Sequence, residues 1–90
     1  MNPLTQREIM LCKSALDFLH ALDGGQAIEL EIHAALLRDA AVHPKPSACE
    51  VESAIRILSE QKWAVGVPAR IGARMKWCSS DTGEAARLVM

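Results

Sequence analysis

The chain has no tyrosine, a single phenylalanine and two tryptophans. That excludes a core of stacked aromatics and leaves the interior to Leu, Ile, Val, Ala and Met, as in many helical domains. It has no Cys-x-x-Cys pair either. Its cysteines, Cys12, Cys49 and Cys78, are odd in number and far apart, which argues against a disulfide framework and points to a reducing, cytoplasmic compartment. No apolar run approaches the ~18 residues of a membrane span, and no basic start precedes an apolar stretch at the N-terminus. Neither a span nor a secretion signal is expected.

Signatures of chemistry are also missing. Asp23-Gly24-Gly25 reads as a helix stop and Val65-Gly66-Val67 as strand, so no glycine-rich phosphate loop is present. His20, His33 and His43 fall in three different elements, none at metal-ligand spacing with a cysteine. No metal and no cofactor is expected, and the cysteines read as small packing residues. Glu29 and Glu31, two positions apart on a helix, face different ways and read as solvated. Catalysis needs converging groups, and the expectation is a protein that is not an enzyme.

What is present is a chain of 90 residues, half of them apolar, enough for one domain over residues 1–90. Thr5 and Glu8 form a capping box, with Leu4 and Ile9 placed as a hydrophobic staple, so a first helix spans about residues 5–22. It carries two apolar rows, Ile9, Cys12, Leu16 and Leu19 on one and Leu11, Ala15, Phe18 and Leu22 on the other, beside a narrow polar edge of Lys13, Asp17 and His20. That is wider than the ~100° stripe one core requires. Two readings stand: a homodimer through helix 5–22 with Leu11, Phe18 and Leu22 at the interface, or a small core that wraps this helix closely.

Residues 26–32 alternate before the spacing turns helical, which predicts a short strand near 27–29 and a helix over 30–40. His43-Pro44-Lys45-Pro46 forbids helix at several positions and separates that helix from the next. Ser47 and Glu50 form a second capping box, and Val51, Ala54, Ile55 and Leu58 recur at helical spacing, predicting a helix over 47–61. Then Trp63, Val65 and Val67 alternate with Ala64 and Gly66, Pro68 to Gly72 read as a connection, and Met75 and Trp77 alternate with Arg74, Lys76 and Cys78. These are two strands of a hairpin, followed by a helix over 80–88.

A helix, a two-stranded hairpin, then an aromatic residue, a hydroxyl three positions on and a glycine three beyond resembles the winged helix-turn-helix domains of small bacterial transcription regulators. Trp77, Ser80 and Gly83 hold those places, and Leu58-Ser59-Glu60-Gln61 resembles the end of the family's recognition helix. Lys62 departs from the family's usual glycine and Ser79 from its usual apolar residue, so an irregular helix exit and last strand are expected there. The resemblance covers most of the chain. It implies an α+β winged helix: a three-helix core, a small antiparallel β-hairpin wing joined by the strand near 27–29, and a short C-terminal helix.

It also implies double-stranded DNA as a partner and a role in transcription regulation. In that fold helix 47–61 would lie in a major groove, presenting Ser47, Cys49, Glu50, Ser53 and Arg56, and wing 68–76 would set Arg70, Arg74 and Lys76 on the backbone. Arg56 would be the best base reader, since a guanidinium bonds guanine O6 and N7 together, and Lys45 could hold a phosphate where the helix begins. The charge distribution leans the same way: residues 1–44 balance to −3, residues 45–76 to +3 and residues 77–90 to −1. Glu50, Glu52 and Glu60 lean the other way, leaving helix 47–61 at net −2. Arg56 has an alternative partner in Glu52 or Glu60, each four residues away. The competing function is a protein-protein interaction module of the same fold that does not bind DNA.

Overall fold

A computed structural model describes residues 4–22, 25–68 and 75–90. Four helices and a three-stranded antiparallel sheet follow one another as α1 (Gln6–Ala21), β1 (Ala27–Ile28), α2 (Glu29–Arg38), α3 (Ala48–Glu60), β2 (Ala64–Pro68), β3 (Met75–Ser79) and α4 (Asp81–Val89). The class is α+β.

Local chemistry starts three of the helices. Thr5 Oγ1 accepts the Glu8 N–H at 3.0 Å while the Thr5 N–H donates to the Glu8 carboxylate at 2.8 Å. Ser47 and Glu50 repeat that reciprocal cap on α3, each bond at 3.2 Å. Ser80 Oγ accepts the Gly83 N–H at 3.0 Å at the start of α4. Each pairing satisfies N–H groups that a helix terminus otherwise leaves without partners.

α2 is shorter than the spacing predicts. It begins at Glu29, where the exposed Glu31 accepts the Ile28 N–H at 3.0 Å. It stops at Arg38 because Asp39 turns extended and spends its carboxylate on the Ala41 N–H at 2.9 Å and the Ser14 hydroxyl at 2.6 Å. Ser14 lies in the middle of α1, so this carboxylate ties the end of α2 across it.

β1, though only two residues long, decides the layout of the sheet. It pairs with β3, Ala27 opposite Trp77, and β3 pairs with β2 from Ala64 opposite Ser79 to Pro68 opposite Met75, giving the order β1-β3-β2. Gly66 stands opposite Trp77, and directly opposite residues share a face. A side chain at Gly66 would meet the indole at 2.9 Å, so the glycine makes room for the ring. The Ala64 and Gly66 side of β2 therefore turns inward, while Val65 is half exposed.

The core lies where α1, α2 and α3 meet the inner face of the sheet. Leu16, Leu36 and Ile32 are fully buried, with Cys12, Leu19, Val42, Val51 and Leu58 around them. Truncating Leu16 or Leu36 to alanine would cost about 2–5 kcal/mol. α1 packs against α2, α3, α4 and β3, which corrects the expectation of a spare face. Leu11 is only 3% exposed, and Phe18 and Leu22 pack half-buried on the same cluster. Both apolar rows pack inside one chain, the close-wrapping one of the two readings of this helix. α4 lies beside the polar edge, with Arg87 Nη1 3.2 Å from Asp17 and His20 Nδ1 2.8 Å from Glu84.

Lys62 carries the chain out of α3 in the left-handed region, at φ 61°. This is the conformation glycine adopts most easily. The Ser80 hydroxyl donates to the Lys62 carbonyl at 2.6 Å and the Ser80 N–H to the Trp63 carbonyl at 3.0 Å. Gly83 sits so close to Trp63 that a Cβ there would fall 1.9 Å from its carbonyl oxygen. Ser80 and Gly83 thus fasten α4 to the turn after α3. No helix among the described residues is long and apolar enough to cross a membrane.

Candidate nucleic-acid interface

α3 buries Val51, Ala54, Ile55 and Leu58 and turns Cys49, Glu52, Arg56, Ser59 and Glu60 outward. Its first turn is held from two sides. His33 Nε2 on α2 lies 3.3 Å from the Pro46 carbonyl, and Arg7 on α1 reaches Glu50 through Nε at 2.9 Å and Nη2 at 3.2 Å while donating to the Pro44 carbonyl through Nη1 at 2.6 Å. The Arg7 guanidinium and the Ser47 N–H hold the Glu50 carboxyl below the usual carboxylate range.

That pairing changes the charge of α3. With Glu50 compensated by Arg7, the helix keeps Glu52 and Glu60 against Arg56, a balance of −1 rather than −2. Arg56 does not adopt the ion pair with Glu52 or Glu60 that its spacing allows. Its nearest polar partner is the Ser53 hydroxyl at 3.4 Å, and the guanidinium is exposed and in no ion pair among the described residues.

Of the other predicted contacts, Ser47 is occupied as the cap of α3 and Ser53 is half-buried beside Arg56. Lys45 is exposed on the approach to α3, but its ammonium already donates to the Asp39 carbonyl at 2.7 Å. Lys76 is exposed on β3. It alternates with Met75 and Trp77, so it projects from the sheet face away from α3 and does not join Arg56. Arg70 and Arg74 lie outside the described residues.

A groove of about 720 Å³ runs between α3, the hairpin and the start of α2. Ile55, Trp77, Met75 and Leu30 supply its apolar lining and Glu29, Glu52 and Arg56 its charged one. Leu30 is 61% exposed and Met75 39%, so this lining is open to solvent. Neither Glu29 nor Glu52 is in an ion pair among the described residues. Sequence reading missed this groove. The one signal was a tryptophan and a glycine at positions that a hairpin register sets opposite each other.

The cysteines diverge in setting. Cys12 is buried, and burial with the nearby Glu8 carboxylate pushes its thiol up to about 12. Cys78 is half-buried, with its thiol 3.8 Å from the Val65 carbonyl. Cys49 is exposed on α3, which corrects its reading as a packing residue. Among the described residues no three His, Cys, Asp or Glu side chains gather as metal ligands. No protein-family model, curated protein or solved structure matches this chain.

Proposed function

We propose that this domain is a winged helix that binds double-stranded DNA in the manner of small transcription regulators, with α3 in the major groove and the hairpin on the backbone. The observation that carries the reading is the pairing of β1 with β3. A strand between the first two helices that joins a C-terminal hairpin is the arrangement the family resemblance implies, and it sets the hairpin beside the outer face of α3. Arg56 supplies an uncommitted guanidinium on that face. Pairing of Glu50 with Arg7 removes part of the repulsion that a duplex would meet.

Fluorescence anisotropy with labelled random duplex at low and moderate salt tests the proposal. Binding is expected at low salt and should weaken as salt rises, because counterions are released from the duplex. Arg56→Ala should cost about 1–3 kcal/mol on a preferred sequence and much less on random DNA. Glu52→Gln should strengthen non-specific binding by withdrawing a negative charge. Absence of binding at low salt, with Glu52→Gln making no difference, would overturn the reading.

The second reading is a protein-protein interaction module of the same fold. The open apolar groove, with two uncompensated carboxylates beside α3, favours it.

A further inference from the structure

We infer that the groove between α3 and the hairpin docks a segment of another protein in which apolar side chains flank a lysine or arginine. The inference deepens the interaction reading and does not depend on DNA binding. Three features of the groove specify the occupant. Ile55 is buried beneath it and Trp77 half-buried, while Leu30 stands largely in water, so inserting apolar side chains would remove existing apolar surface from solvent. Specific clefts commonly combine such a lining with a few polar groups that fix orientation.

Of the charged groups here two are acidic and one is basic. Glu29, from the first turn of α2, and Glu52, from α3, bring carboxylates from two different helices to one groove, each exposed. A cation on the occupant would be attracted by both. Arg56 is the third charge and leaves the three-residue set at net −1. It would pair with a carboxylate elsewhere on the same segment, while a wholly acidic segment would be repelled by the net charge of the groove.

The occupant and a duplex would both need the Arg56 side of α3, so they should exclude each other. The groove's occupancy can still be measured with no DNA present. A displayed library of random ten-residue peptides, selected on the full chain and read by sequencing, is the probe. Enriched sequences should share a lysine or arginine between apolar residues. Synthetic copies of the enriched peptides should then bind in anisotropy and change the emission of Trp77, a readout that Trp63→Phe isolates.

Leu30→Ser and Glu52→Lys change exposed side chains and should leave the circular dichroism and melting temperature intact. Each should weaken peptide binding by about tenfold or more, the first by removing apolar contact and the second by reversing the charge. Exchanging the peptide's basic residue for glutamate should do the same. No enrichment, enrichment of acidic sequences, or binding that survives both substitutions would overturn the proposal. So would concentration-dependent self-association abolished by Leu30→Ser, which would make a second copy the occupant. Failure of the duplex titration alone would leave the peptide result standing, and the converse also holds.

Discussion

Arg7 and Glu50, 43 residues apart, form a two-point ion pair that joins α1 to the first turn of α3. Glu50 also accepts the Ser47 N–H, so one carboxylate closes the helix cap and compensates a charge on the helix proposed to meet DNA. Arg7→Ala should loosen that turn and return α3 to its full acidity. Hydrogen exchange at the Glu50 amide should speed up, and duplex affinity should fall although residue 7 is absent from the proposed contact face.

Acid sensitivity follows from three carboxyls held below their ordinary range: Asp39, chiefly by the Ser14 hydroxyl, Glu50, chiefly by Arg7, and Glu84, chiefly by the Ser79 hydroxyl. A depressed folded-state pKa gives stability that is present above the ordinary carboxylate range and is lost as pH falls through the folded value. The melting temperature should therefore stay level from neutral pH down to about 5 and fall below about 4. Ser14→Ala should cost about 1.5 kcal/mol at neutral pH and make the acid limb shallower, as read by denaturant titrations across pH.

The turn after α3 gives two opposite outcomes in thermal melts. Lys62 occupies the left-handed region at φ 61°, so Lys62→Gly should stabilise by about 0.5–1 kcal/mol, the strain relieved less the extra chain entropy. Gly83→Ala would drive a methyl into the Trp63 carbonyl and should destabilise by about 3 kcal/mol. A neutral Gly83→Ala would mean that α4 is not latched there.

The thiols should separate by reactivity. In the native protein at neutral pH, Cys49 should react promptly with a maleimide or a chromogenic disulfide, while Cys12, with its thiol pushed up to about 12, should react only after denaturation. Mass spectrometry of digested, pulse-labelled protein distinguishes the sites.

Phe18→Glu should lower the melting temperature by several degrees and leave the sedimentation coefficient of the folded fraction unchanged, because Phe18 packs on the core of its own chain. A dimer converted to a well-folded monomer would restore α1 as an interface.

What the sequence determined by itself was whatever operates within a few residues. The caps at Thr5 and Ser47 are bonds between positions three apart, so the starts of α1 and α3 were legible from residue types alone, whereas Ser80 stood out only through the family resemblance. The α+β order followed from the change between helical and alternating spacing. Tertiary structure decided what depends on partners distant in the chain. Both apolar rows of α1 looked equivalent until α2, α3 and β3 closed around them, and nothing in its polar edge signalled that Arg87, 70 residues on, would reach Asp17. Arg7 carried no sign that it would compensate Glu50, and Arg56 none that it would leave Glu52 unpaired. The reason is that an ion pair or a groove is set by where whole elements dock, and docking is a sum of many weak apolar contacts that no short pattern encodes.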